Sequence, residues 1–205
     1  ADHRDLHSFP PRRSSDLNAY FLLHEHKAWV VDPAGDSDLC LAYLSEEGAV
    51  LDSIYLTHGH ADHVAAAMEL KRATGARIYG HSADSYLLGR VNDEVAMYLG
   101  LKEIITLDVE LIPESSIDIA GSKFTVLATP GHTPGSVCYY SASLKVLFSG
   151  DTLFAKSIGR SDLLGGNAQV LRQSLLRLKE LPDDTLVLPG HGPSTTIAEE
   201  KVHNR

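Results

Sequence analysis

Seven consecutive residues, Thr57-His58-Gly59-His60-Ala61-Asp62-His63, gather three imidazoles and a carboxylate where an apolar run gives way to a helical one. Side chains two apart at a strand end point the same way, so His58 and His60 share a direction. The first helical turn then brings Asp62 and His63 one step further round. Four donors face a common volume on the scale of metal bonds of about 2.0–2.2 Å. With 11 histidines in 205 residues, chance supplies this string about 0.002 times per chain. The chain must therefore fold so that a strand ends and a helix begins at a centre crowded with donors.

Three further candidates repeat one context. His132 lies in Thr129-Pro130-Gly131-His132-Thr133-Pro134-Gly135, Asp151 in Ser149-Gly150-Asp151-Thr152, and His191 in Leu188-Pro189-Gly190-His191-Gly192. Each follows an apolar strand and is preceded by Gly, which permits the tight turn that brings a ligand to a crowded centre. Loops at strand ends are the common place for binding groups in α/β proteins.

The rest of the pattern predicts alternating elements. Strands are expected over Ala19–Leu23, Ala28–Val31, Ser53–Thr57, Arg77–Gly80, Ile117–Ile119, Lys123–Ala128, Ser136–Tyr140, Lys145–Phe148 and Leu186–Leu188. Helices are expected over Asp38–Glu47, Ala61–Thr74, Ser82–Arg90, Asn167–Leu181 and Thr196–His203. Strands and helices alternate in two similar halves, which predicts an α/β architecture with helices outside sheets. Of Tyr139 and Tyr140, one is expected in the core and the other at the surface. His24 and His26 read as a solvated turn, and His81 as a residue capping a helix. Asp32 suits two roles equally: a hydrogen-bond partner for a ligand histidine, or a turn cap before Pro33.

Ala1–Leu17 stands apart. It is polar, carries Pro10-Pro11 and Arg12-Arg13-Ser14-Ser15, and shows no period. The string from Arg12 to Leu17 resembles a translated sequencing adapter, so residues 1–17 are expected to be a non-native or disordered leader, with the domain spanning 18–205. A net charge of −9 and a pI near 5.6 argue against a nucleic-acid partner. No stretch reaches the ~18 apolar residues of a membrane span. Cys40 and Cys138 fall in apolar stretches and read as free buried thiols, which points to a reducing, cytoplasmic setting.

The HxHxDH string, the later Gly-His, Gly-Asp and Gly-His, and their order resemble the metallo-β-lactamase superfamily over residues 18–203. That resemblance implies a four-layer αββα sandwich with a two-metal site at one edge. It implies that His58, His60 and His132 hold one divalent ion, that Asp62, His63 and His191 hold the other, and that Asp151 bridges them. Zinc is the expected metal, with iron or manganese also suited to such mixed donors.

Within the superfamily, Asp151 stands where many β-lactamases carry Cys. The strings Phe148–Phe154, Ile158-Gly159-Arg160-Ser161-Asp162 and Gly190-His191-Gly192-Pro193 resemble the short, single-domain glyoxalase II-like hydrolases. The long glyoxalase II form has an extra helical C-terminal domain, a glutathione-contacting Tyr where this chain has Pro193, and Lys where it has Arg160. The resemblance implies hydrolysis of a small-molecule thioester of the S-lactoylglutathione type by a water activated between the ions. Asp62 and Asp151 then act as catalytic carboxylates and Arg160 contacts a substrate carboxylate. The alternatives are a persulfide dioxygenase holding one iron through His58, His132 and Asp151, and a lactonase. Nothing in the sequence speaks to oligomeric state.

Overall fold

The computed structural model describes residues 5–9, 17–90, 97, 101 and 103–204. One sheet contains β1 (Asp5–Phe9), β2 (Ala19–His24), β3 (Lys27–Val31), β4 (Val50–Tyr55), β5 (Arg77–Gly80) and β6 (Val109–Glu110), neighbours in that order. The other contains β7 (Ser116–Ile119), β8 (Ser122–Ala128), β9 (Val137–Ser141) and β10 (Val146–Gly150). It is completed by β13 (Leu186–Pro189) and β14 (Thr195–Thr196), in the order β14-β13-β10-β9-β8-β7. Between them in sequence, β11 (Leu153–Phe154) and β12 (Ser157–Ile158) form a separate hairpin.

Period-two alternation assembles the layers. Tyr20, Leu22, Trp29 and Val31 from the first sheet meet Phe124, Val126, Tyr139 and Phe148 from the second in one core between the sheets. The intervening residues Phe21, Ala28 and Val30 face outward onto Cys40 and Leu44 of α1 (Ser37–Glu46) and Leu70 of α3 (Ala67–Thr74). On the opposite side Leu127, Cys138, Leu147 and Val187 meet Leu178 of α5 (Ala168–Leu178) and Ile197 of α6 (Ile197–His203). The result is the expected αββα sandwich. Both cysteines are buried and free, Tyr139 is fully buried, and Tyr140 is half-buried.

Strand direction decides where the loops gather. β3 and β4 run parallel. In the second sheet β10 and β13 are parallel, and β8 is antiparallel to β9, itself antiparallel to β10. Hence β8, β10 and β13 all end at the same edge of their sheet.

Two helix expectations change, and a strand appears where no period predicts one. The helix over Ala61–Thr74 is broken into α2 (Ala61–Val64) and α3, because the Ala66 N–H donates to the Pro33 carbonyl (3.1 Å) instead of continuing the helical ladder. The helix expected over Ser82–Arg90 begins as a 3₁₀ turn, Ser82–Asp84, capped by the His81 side chain, before α4 (Ser85–Leu88). Finally, Asp5–Phe9 is a strand paired antiparallel with β2, Asp5 opposite Leu23 and Phe9 opposite Ala19. Leu17 is buried and bridges His191, and the Asn18 N–H donates to the Gly190 carbonyl at 2.7 Å. The lack of period in the leader hid this strand: the free edge of β2 supplies the hydrogen-bonding partners, and such pairing needs no apolar repeat. No helix among the described residues is long and apolar enough to cross a membrane.

Candidate metal centre

Five loops meet at the common edge, and their side chains converge. His58, His60 and His132 form one set of donor atoms within 4.8 Å of one another, and Asp62, His63 and His191 another; Asp32, His58 and His63 also satisfy that limit. Asp151 lies between the two main sets. Its Oδ1 is 3.3 Å from His63 Nε2, while its Oδ2 is 3.5 Å from His132 Nε2 and 3.6 Å from His191 Nε2. Asp62 Oδ2 approaches His191 Nε2 at 3.3 Å and His63 Nε2 at 3.8 Å. His60 Nδ1 faces His132 Nε2 at 2.9 Å.

A chain of hydrogen bonds fixes which ring nitrogen carries each proton. A carboxylate only accepts, so the Thr57 hydroxyl donates to Asp32 Oδ2 (2.6 Å) and its oxygen accepts from His58 Nδ1–H (3.0 Å). His63 Nδ1–H donates to the same Asp32 Oδ2 (3.0 Å). His132 Nδ1–H donates to the carbonyl of Arg160 (2.7 Å). In all three rings the Nδ1–H is turned away from the centre and Nε2 points in, the orientation of metal-ligating histidines. Asp32, 2 % exposed, is thus the partner of a ligand-type histidine. It also accepts from the Thr57 N–H at 2.7 Å.

Three buried atoms at this centre have no hydrogen-bond partner: His58 Nε2, His63 Nε2 and Asp151 Oδ1. The 3.3 Å approach of the last two is not aligned as a hydrogen bond. Leaving such groups bare costs about 1–3 kcal/mol each. A divalent cation fits all three, since imidazole lone pairs and carboxylate oxygens are its usual donors.

The charges are consistent with that fit. Burial holds His58 well below the usual histidine range, and the His63 and His132 rings add to the effect. Burial and His132 lower His60 to about 4. Burial would lower His63 too, but Asp151, Asp62 and Asp32 outweigh it and hold it well above the usual range. In Asp62 and Asp151 burial works to raise the carboxyl, and His63 and then His191 outweigh it, so both are lowered. A cation must displace the proton from His63, so binding and protonation compete.

Glycine makes the crowding possible. A Cβ on Gly190 would lie 2.4 Å from both Asp151 Oδ1 and His63 Cε1, and one on Gly150, where φ is +48°, would lie 2.3 Å from Thr57 Oγ1. Of the residues expected at the site, only the Arg160 side chain is not brought in. It is exposed and forms two 2.9 Å hydrogen bonds to Asp162, and its contribution is the carbonyl that orients His132. Sequence reasoning missed Thr57, whose position directly before the motif was the available signal. It also missed Phe154, whose ring stands edge-on to His191 at 6.2 Å.

With this geometry the comparisons with known proteins agree. The sequence model of the metallo-β-lactamase superfamily matches residues 15–191. The chain belongs to that superfamily. Among its members, the hydroxyacylglutathione hydrolase GloC of Haemophilus influenzae is 38% identical over 185 residues, covering 88% of this chain and 87% of that one. The crystal structure of BLEG-1, described as a B3 metallo-β-lactamase, is 36% identical with a TM-score of 0.88, covering 98% of each chain. The di-iron-bound form of TTHA1623 is 35% identical with a TM-score of 0.85, covering 96% of this chain and 98% of that one. ETHE1 from Myxococcus xanthus is 31% identical with a TM-score of 0.80, covering 98% and 83%. These superfamily relatives carry names for more than one reaction. Common to this chain and the superfamily is a metallohydrolase scaffold with histidine-rich groups for divalent metal.

Proposed function

We propose that this protein hydrolyses a small-molecule thioester of the S-lactoylglutathione type. In this reading His58, His60 and His132 would hold one divalent ion and Asp62, His63 and His191 a second, with Asp151 placed to serve both. Asp151 carries the reading, since its two oxygens reach toward both donor sets. Two divalent ions held there supply Lewis acidity and an activated water at neutral pH.

The protein's own groups do the remaining work. Asp62, partly exposed and held ionised by His63 and His191, accepts a hydrogen bond from the attacking water and aims it. Asp151, also ionised, balances positive charge at the centre. Asp32 and Thr57 keep the His58 and His63 lone pairs directed inward. The Phe154 ring stands beside His191, edge-on at 6.2 Å. A thiol of pKa about 8.5 leaves readily as thiolate, so no protein acid is required. Arg160, on the loop that follows β12, turns from Asp162 to a carboxylate of the substrate. The likeness to GloC supports the thioester.

A second reading, a persulfide dioxygenase using His58, His132 and Asp151 around one iron, is favoured by the likeness to ETHE1. One set of assays separates them. Purified protein loaded with zinc, iron or manganese is given S-lactoylglutathione, a chromogenic β-lactam, an acyl-homoserine lactone and, with an oxygen electrode, glutathione persulfide. Thioester turnover that a chelator abolishes and His58→Ala lacks is expected. Oxygen uptake with no thioester turnover would replace the first reading by the second.

A further inference from the structure

Two glycines on different ligand loops leave room for the same side chain. A Cβ on Gly59 would lie 3.0 Å from the Asp84 Cβ and 3.1 Å from its carbonyl oxygen; one on Gly135 would lie 2.6 Å from Asp84 Cγ and 2.7 Å from Oδ1. Both loops omit a side chain where Asp84 enters. Asp84 closes the 3₁₀ turn before α4 and is 2 % exposed. Its Oδ2 accepts from the Gly59 N–H (2.9 Å) and the Thr133 hydroxyl (2.7 Å), and its Oδ1 accepts from the Gly135 N–H (2.7 Å). Gly59 separates His58 from His60, and Thr133 and Gly135 follow His132. One buried carboxylate therefore ties the two loops that carry the three-histidine set.

We propose that Asp84 is a positioning residue that fixes the His58–His60 loop against the His132 loop and thereby sets the metal affinity of that three-histidine set alone. The inference rests on reading that set as a metal site. The role requires a carboxylate. Three donors converge on two oxygens, and no second residue type of this length accepts on both sides. In Asp84→Asn the amide NH₂ must face either the Gly135 N–H or the Gly59 N–H. Whichever way the amide turns, at least one of the three bonds is lost and two buried donors oppose each other, although the side chain keeps its shape. The Asp62–His63–His191 set gains its orientation elsewhere, from Asp32 and from the loop after β13.

The test uses the full chain freed of metal and titrated with cobalt(II), following the visible d–d bands, with bound metal counted by atomic emission. Wild-type protein is expected to bind two ions in two phases. Asp84→Asn is expected to weaken one phase by about 10–100-fold, the usual effect of losing a partner that orients ligands. The d–d bands of that phase should change while the other phase stays near wild type; the melting temperature of the metal-free protein falls by several degrees, because two buried donors oppose each other. Should Asp84→Asn fail to fold, Thr133→Val carries the same comparison. It removes one of the three bonds and is expected to weaken the same phase toward the lower end of that range, with Thr133→Ser restoring it. Equal weakening of both phases, or of neither, overturns the role of Asp84 alone. A wild type that binds no cobalt overturns the metal reading and the inference together.

Discussion

Asp32→Asn tests the proton arrangement at the centre with little disturbance of shape. Asp32 sits at φ +50°, a backbone conformation that Asn tolerates as well as Asp, so only the second acceptor and the charge are lost. Its carboxylate faces three donors: Thr57 N–H, Thr57 O–H and His63 Nδ1–H. If the new NH₂ faces Thr57 N–H, two donors oppose each other in a buried site, at a cost of about 1–3 kcal/mol. If it turns the other way, it donates to His63 Nδ1 and Thr57 Oγ1. The ring proton of His63 then moves to Nε2, and the Thr57 hydroxyl turns toward His58 Nδ1, pushing that proton to Nε2 as well. Two inward lone pairs are lost. The first outcome leaves the ring protons in place and shows as lost stability; the second weakens metal binding by about 10–100-fold, or about 1.4–2.7 kcal/mol at 1.36 kcal/mol per decade. Competition with a chromogenic chelator measures this directly. A dissociation constant within twofold of wild type, with stability also unchanged, would refute the tautomer argument.

Other predictions address crowding, pH and substrate. Gly190→Ala forces a Cβ against Asp151 and His63; metal content is expected to fall and stability to drop by about 1–3 kcal/mol, and full metal content would contradict this. In the metal-free protein, folded His60 takes up its proton only near pH 4, and burial holds His58 well below the usual histidine range, whereas unfolded histidines do so near 6.5. The unfolded chain binds more protons below 6.5, so their contribution to stability is lost as pH falls from 6.5 toward 4. His63, raised in the folded state, acts oppositely: its contribution is present below 6.5 and lost as pH rises beyond it. Denaturant midpoints of metal-free protein are therefore expected to peak near neutrality, and a midpoint still rising at pH 5 would refute the balance. Arg160→Ala is expected to raise KM for a carboxylate-bearing thioester about tenfold with kcat unchanged; a matching fall in kcat would place its role in the chemistry instead.

The donors were legible because metal chemistry limits them to few residue types at strand ends. The layers were legible because strands such as Phe124–Ala128 alternate in two directions at once, one face toward the other sheet and one toward α5. What stayed hidden depends on tertiary hydrogen bonds. The break between α2 and α3 comes from a Pro33 carbonyl more than thirty residues earlier in the chain, which no local period encodes. β6, β14 and the β11–β12 hairpin have two residues per strand, too few to show a repeat. Asp84 and Thr57 are common residue types whose importance lies in what they accept from or donate to. The Arg160 carbonyl meets His132, a contact that the residue type does not signal because any residue carries a carbonyl.

Each of the two main donor sets draws two residues from the loop after β4 and one from a loop of the second sheet, with His60 and His132 separated by 72 positions. A site of that kind cannot nucleate anything. Contacts so distant in sequence form only after the intervening chain has been ordered, so the centre completes itself at the end of folding. An ion bound there would act as a late inspector: it would bind tightly only where both halves have already docked, and its release from a destabilised chain would report that the two sheets have begun to part.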